Sequence, residues 1–267
     1  VKVAQSFLGK LHDFDNKFQL LINQSNQHQA ENENIELREI IDDYSSFITN
    51  PDHEKYWLHL DSSTEIVTLI EKLRANSSVC VKLMEKYRAL KLLHENEEIA
   101  DYFRNIEDCI EKEFGGFQIT NQSKVLLVGS GAFPMTLLLI AERTGAEVFG
   151  IDIDDEAIQL GRQVVHKLGK HLPIQIYNKP VEDLAAIQQI SHIIFSSTVS
   201  CKYDILEQLY DVTKQDVIVA MRYGDGLKSL FNYPMRTVDA TKWQLVEQIM
   251  HPQSVFDIAL YQKAQSI

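Results

Sequence analysis

The chain has 267 residues and a formal net charge of −12, with 45% of its residues apolar and 24% charged. That balance belongs to an ordinary globular protein and excludes a disordered or fibrous chain, and no apolar run approaches the roughly 18 residues that span a bilayer. The acidity and the scattered Lys and Arg residues also argue against nucleic acid as a partner, because phosphate-backbone binding rests on clustered cations.

In chain order, the opening VKVAQSFLGKLHDFDNKF carries charges throughout and lacks a signal-peptide core, so a cytoplasmic location is expected. Up to Gly115-Gly116 glycine is almost absent, and apolar residues recur at helical spacing. One stripe joins Ile35, Leu37, Ile40, Ile41, Tyr44, Phe47 and Ile48, and Asn50-Pro51 ends it. A second runs from Ile66 through Leu69, Leu73, Val81, Met84 and Leu90 to Leu93; a third covers Tyr102, Phe103, Ile106, Ile110 and Phe114. From Lys124 short apolar runs alternate with helical segments: VLLVG, AEVFGID, PIQIY, HIIFSS and DVIVAMR read as strands. KWQLVEQIM and FDIALYQKA read as two closing strands around His251-Pro252. The expected fold is α/β. An all-helical domain over 1–118 precedes a Rossmann-type, class I methyltransferase-like domain over 119–267 with a parallel sheet.

The segment VLLVGSGAFPMT (125–136) places Gly129-Ser130-Gly131 directly after a strand, with a helix opening at about Pro134. Glycines there allow a sharp turn and close approach of a ligand to the backbone. Asp152 follows the next strand, where a carboxylate can accept hydrogen bonds from both ribose hydroxyls of an adenosine; Ile153 follows it, and Asp154 is a candidate helix cap. A dinucleotide fingerprint has a third small residue where this chain has Pro134, between bulky Phe133 and Met135, and there is no GxxxxGK[ST] loop. A phosphate-free ligand fits better, and S-adenosylmethionine has that chemistry. Many methyltransferases carry an acidic residue two positions before the first glycine; this chain has Leu127 there, which disfavours ordinary methyl transfer.

VLLVGSGAFPMT, GIDID, HIIFSST and MRYGDGLKSLFNYP (221–234), with DDYSSFITNP (42–51) and YFRNIEDCIEKEFG (102–115), together resemble the nicotianamine synthase-like family, closest to its bacterial branch that makes opine metallophores of the staphylopine type. The resemblance implies transfer of the 3-amino-3-carboxypropyl (aminobutanoate) arm of S-adenosylmethionine to an amine, releasing methylthioadenosine. It favours the α-amine of D-histidine as acceptor, with L-histidine or another amine as the alternative, and an opine dehydrogenase as pathway partner. Small-molecule N-methyl transfer is the competing activity.

The same resemblance places Glu85, in CVKLMEKYR, as the candidate base and Tyr102 against the cofactor; Ile106 stands where the family commonly has a second tyrosine. The expected cofactor-binding set is Gly129, Ser130, Gly131, Pro134, Asp152 and Ile153, and the substrate-binding set Ser197, Thr198, Arg222 and Tyr233. Arg222 is expected on a carboxylate of cofactor or acceptor, with a structural salt bridge as its rival. Ser196, Ser197 and Thr198 end a strand where open α/β sheets bind ligands. His166 and His171 are five apart rather than four, and Cys80, Cys109 and Cys201 lack zinc spacing, so no metal and no disulfide framework are expected. A homodimer contacting through the helical domain is plausible from the family.

Overall fold

The structure is a computed structural model that describes residues 2–25, 33–60, 62–94, 113 and 118–265. The third apolar stripe, with Tyr102 and Cys109, lies outside these residues.

Helix α1 (Lys2–Ser25) buries Phe7, Leu11, Phe18 and Leu21, spaced by alternate threes and fours once half-buried Phe14 is included. That spacing makes one apolar stripe. Helix α2 (Glu33–Ile48) buries Leu37, Ile40, Ile41, Tyr44, Phe47 and Ile48, whereas Ile35 is exposed and falls outside the stripe read from the sequence. Rings fill the space between the two helices: Phe14 lies 4.9 Å from Tyr44 and 5.3 Å from Phe47, and Phe18 meets Tyr44 edge-on at 5.0 Å. After α2, the Asn50 side chain accepts from the Asp52 N–H at 2.9 Å, Pro51 starts a 3-10 turn, and the four-residue α3 (Glu54–Trp57) follows. Helix α4 (Thr64–His94) is continuous over 31 residues.

The sheet has seven strands: β1 (Lys124–Val128), β2 (Glu147–Ile151), β3 (Ile174–Tyr177), β4 (His192–Phe195), β5 (Ile218–Tyr223), β6 (Trp243–Ile249) and β7 (Asp257–Lys263). Between them lie α5 (Met135–Thr144), α6 (Asp155–Gly169) and α7 (Lys202–Val212). The order is β3-β2-β1-β4-β5-β7-β6. Pairs β1–β2, β2–β3, β1–β4 and β4–β5 are parallel, and β6–β7 is antiparallel with an irregularity between Leu245 and Glu247. The central strands β1 and β4 are buried almost throughout, which is why they read as unbroken apolar runs. From β1 the chain steps outward through β2 to β3, then returns to place β4 on the other side of β1. The direction of winding therefore reverses between β1 and β4, and a crevice opens at their carboxyl ends.

The division into units differs from a boundary at 118/119. One compact unit comprises Val1–Tyr87, Tyr223–Met235 and His251–Asp257; the other comprises Arg88–Arg222, Arg236–Met250 and Ile258–Ile267. The cause is α4. Its residues Leu69, Leu73 and Cys80 belong to the α1–α2 core, which also takes in Leu227, Leu230 and Phe231 from after β5. Its last turns, through Ala89 and Leu92, belong to a separate core with Phe133, Met135, Leu138, Leu160 and Val164.

Candidate active site

In the sheet-bearing unit, β1 runs into Gly129-Ser130-Gly131, and both glycines take left-handed backbone, with φ of 85° and 69°. The Gly129 and Ser130 N–H groups donate to the Ile151 carbonyl at 2.8 and 3.1 Å, tying the turn to the end of β2. A Cβ on Gly129 would stand 2.7 Å from Val199 Cγ2 and 3.0 Å from Ser196 Cβ, so the loop after β4 presses on the turn. Asp152 closes the other side. Its Oδ2 accepts from Gly131 N–H at 2.9 Å, and its Oδ1 accepts from Ile153 and Asp154 N–H at 2.8 and 3.1 Å. A carboxylate has about four lone-pair sites; three are taken here by the loop itself. Asp152 thus sets the turn, with acceptor capacity left over on its carboxylate. Asp154 accepts from Glu156 and Ala157 N–H and caps α6, as its position after the strand suggests.

Next to Asp152 stands Ile153, a large apolar side chain that is 87% exposed. The start of α5 has the opposite character. Ala132, Phe133, Pro134 and Met135 are all buried. Pro134, with φ −81° and ψ 59°, precedes the helix instead of opening it, and the Met135 N–H donates back to the Phe133 carbonyl at 2.8 Å. That is inverse γ-turn geometry. It occupies the first of the helix's N–H groups.

Two glycines outside the GxG pattern complete the cradle. A Cβ on Gly161 of α6 would lie 3.1 Å from the Gly131 carbonyl, and one on Gly150 of β2 would lie 2.9 Å from Ser130 Cβ and 2.7 Å from Leu137 Cδ1. Gly161 supplies, from the neighbouring helix, the close approach that the missing small residue at 134 would have given. Ser130 is packed against Gly150; its buried hydroxyl has no hydrogen-bond partner among the described residues.

At the ends of β4 and β5, Ser197 is buried and Thr198 half-buried. Lys202, fully buried, donates from Nζ to the Arg222 carbonyl at 2.7 Å and the Ser197 carbonyl at 3.4 Å. The Arg222 guanidinium forms a two-pronged ion pair with buried Glu113, Nε–Oε1 at 2.6 Å and Nη2–Oε2 at 2.8 Å. The fork expected on a ligand carboxylate is on a carboxylate of the chain's own, the structural alternative named above.

In the helical unit, Glu85 is half-buried on α4 among residues 81–88, where only Lys82 is exposed. The Tyr233 carbonyl accepts from Gly224 N–H at 3.2 Å, and the Tyr233 ring lies under the Arg74 guanidinium, 5.2 Å from carbon to centroid.

The sequence profile of the nicotianamine synthase protein family matches residues 53–263. The chain belongs to the nicotianamine synthase family. An L-histidine 2-aminobutanoyltransferase of Yersinia pestis is 34% identical over 202 residues, 74% of this chain and 75% of that protein. One of the same name from Pseudomonas aeruginosa (strain UCBPP-PA14) is 29% identical over 229 residues, 85% and 86%. The crystal structure of MtNAS in complex with MTA and tNA superimposes with a TM-score of 0.76 at 14% identity, covering 95% of this chain and 98% of that one. A mutant of MtNAS in complex with S-adenosylmethionine gives 0.72 at 12%, covering 94% and 98%. These two share the fold.

This nicotianamine synthase family member brings Gly129, Ser130, Gly131, Pro134, Asp152, Ile153, Ser197, Thr198 and Arg222 into one unit, and carries Glu85 and Tyr233 in the other. Gly150, Gly161, Lys202 and Glu113 are not in the GxG pattern, and only three-dimensional packing identifies them. The residues fit an adenosine: an acceptor on Asp152, an exposed apolar side chain in Ile153 and a glycine backbone a Cβ would fill. Among the described residues no group of three or more His, Cys, Asp or Glu side chains gathers as metal ligands, and no helix is long and apolar enough to cross a membrane.

Proposed function

We propose that the protein transfers the aminobutanoate arm of S-adenosylmethionine to the α-amine of histidine. The reading rests above all on the phosphate-free cradle of Asp152 and Ile153 in a chain of this family, and the names of the relatives support it. When bound, S-adenosylmethionine supplies an electrophilic carbon on each arm of a sulfonium whose departure as a neutral thioether, methylthioadenosine, needs no metal.

The chain's own residues bind and position. Asp152 holds the sugar through its remaining acceptor site, and Ile153 covers the base. Gly129 and Gly131 let the backbone approach, while Ser197 and Thr198 line the other wall of the crevice. Glu85 is the base that takes a proton from the acceptor's ammonium so that a lone pair is available, since an amino-acid amine is largely protonated near neutrality. Buried Leu127 leaves no carboxylate on β1 before the glycine turn. The sequence resemblance favours D-histidine and the relatives are named for the L form. A cytoplasmic location, an opine dehydrogenase as the next enzyme and a homodimer belong to the same proposal.

The test is incubation with S-adenosylmethionine and a panel of D- and L-amino acids, with products read by mass spectrometry. Methylthioadenosine with an aminobutanoyl-histidine is the expected pair, and the preferred enantiomer is read directly. S-adenosylhomocysteine instead would overturn the proposal in favour of methyl transfer. Glu85→Gln is expected to lower kcat at least roughly 100-fold with the affinity for S-adenosylmethionine nearly intact.

A further inference from the structure

Two guanidiniums sit in the regions singled out by the RYGDGLKSLFNYP segment, and they are used differently. Arg222 has its fork filled by Glu113. Arg74, half-buried on α4, has no Asp or Glu within 4.0 Å among the described residues. Asp15 accepts from Gln19 Nε2 and Asn76 Nδ2, each at 2.8 Å, and forms no ion pair with Arg74 within 4.0 Å. Burial pulls the Arg74 pKa below its ordinary value, opposed in part by Tyr233, Glu71 and Tyr44. A partly desolvated guanidinium without a direct ion pair among the described residues is uncommon, because the lost hydration is only partly replaced, here by the field of Glu71.

The side chain is nonetheless fixed. Its Nε donates to the Ser229 carbonyl at 2.7 Å, and its plane sits over the Tyr233 ring. The segment supplying both contacts is itself pinned. The Tyr44 hydroxyl donates to the Leu230 carbonyl at 2.8 Å, Ser229 Oγ donates to the Gly226 carbonyl at 2.6 Å, and Asn232 Nδ2 donates to the carbonyls of Lys228 and Val255. With Nε used and the plane set, the two terminal nitrogens form a preorganised fork, the geometry that pairs with a planar carboxylate.

We infer that Arg74, held on Tyr233 and Ser229, is an anchor for an amino-acid α-carboxylate, that of the acceptor, and so selects amino acids over simple amines. The inference rests on the aminobutanoyl-transfer reading. It gives Tyr233 a definite job, to hold Arg74, and gives that of Arg222, as carboxylate binder, to another residue.

Both substrates of the proposed reaction carry an α-carboxylate, and the test separates them. Arg74→Met is expected to raise the KM for histidine roughly 10- to 100-fold. The KM for histamine, which lacks the carboxylate, and the Kd of methylthioadenosine, which lacks the arm, should stay within about twofold. Calorimetric titration of histidine into the protein should show the same loss without turnover. Arg74→Lys, which keeps the charge and loses the fork, should fall between, and covers the case in which the methionine variant folds poorly. If the Kd of S-adenosylmethionine rises while that of methylthioadenosine and the KM of histidine stay fixed, the acceptor assignment is overturned in favour of the arm's carboxylate. Unchanged histidine binding and KM in folded variants, or wild-type enzyme using histamine as well as histidine, overturns the anchor. Absence of any aminobutanoyl transfer by the wild type sinks the function, while histidine calorimetry still decides the anchor.

Discussion

In the proposed site Asp152 does two things with one carboxylate: it fastens the glycine turn through three backbone N–H groups and leaves acceptor capacity for the sugar. Asp152→Asn exchanges one charged oxygen for an amide donor, so it should loosen the turn and weaken the ribose contact together. We expect a roughly 10- to 100-fold weaker Kd for methylthioadenosine by calorimetry. Ile153 offers a cleaner separation. Because it is exposed, Ile153→Ala should leave the free energy of unfolding within about 0.5 kcal/mol, yet weaken adenosine binding several-fold if the purine covers that side chain. An unchanged Kd would remove Ile153 from the site. Gly161 shows what one-dimensional reading misses. A glycine inside a helix looks like a local weakness, but here it admits the Gly131 carbonyl, from which an added Cβ would lie 3.1 Å, a tight contact.

Among the elements, α4 is the one whose meaning changed most. Its apolar residues are legible as a helix, but which core each turn joins depends on partners far away in sequence. The Arg222–Glu113 pair makes the same point: it is a contact across 109 positions, and no local pattern announces it. Both side chains are largely out of water, so truncating one partner leaves an uncompensated charge. Glu113→Ala should cost about 3–5 kcal/mol in urea unfolding, and a loss below about 1 kcal/mol would show the pair to be incidental. In the helical unit, burial pushes the Tyr44 phenol well above its ordinary value and the Cys80 thiol up to about 12. The folded protein keeps both protons where the unfolded chain sheds them, near pH 9 for the thiol and pH 10 for the phenol. Their contribution to stability is therefore complete below pH 9 and is lost as pH climbs from there. Urea midpoints should fall between pH 9 and 11, and Tyr44→Phe, which also loses the bond to Leu230, should flatten the decline above pH 10.

For the molecule as a whole, a ligand that binds only the folded state must stabilise it by mass action. Methylthioadenosine at 100 times its Kd should add about 2.7 kcal/mol, seen as a rise in Tm that Asp152→Asn largely removes. The sequence alone determined the α/β alternation, the glycine turn after β1 and the acid after β2. Each depends on residues close together in the chain, where backbone preference and side-chain period decide the outcome. Tertiary structure alone decided where the units divide, that Arg222 pairs with Glu113 while Arg74 rests on Ser229 and Tyr233, and which glycines beyond the GxG admit the turn. Those depend on segments separated by tens to hundreds of residues that meet only when apolar surface is buried, and pairing between them carries no local signature.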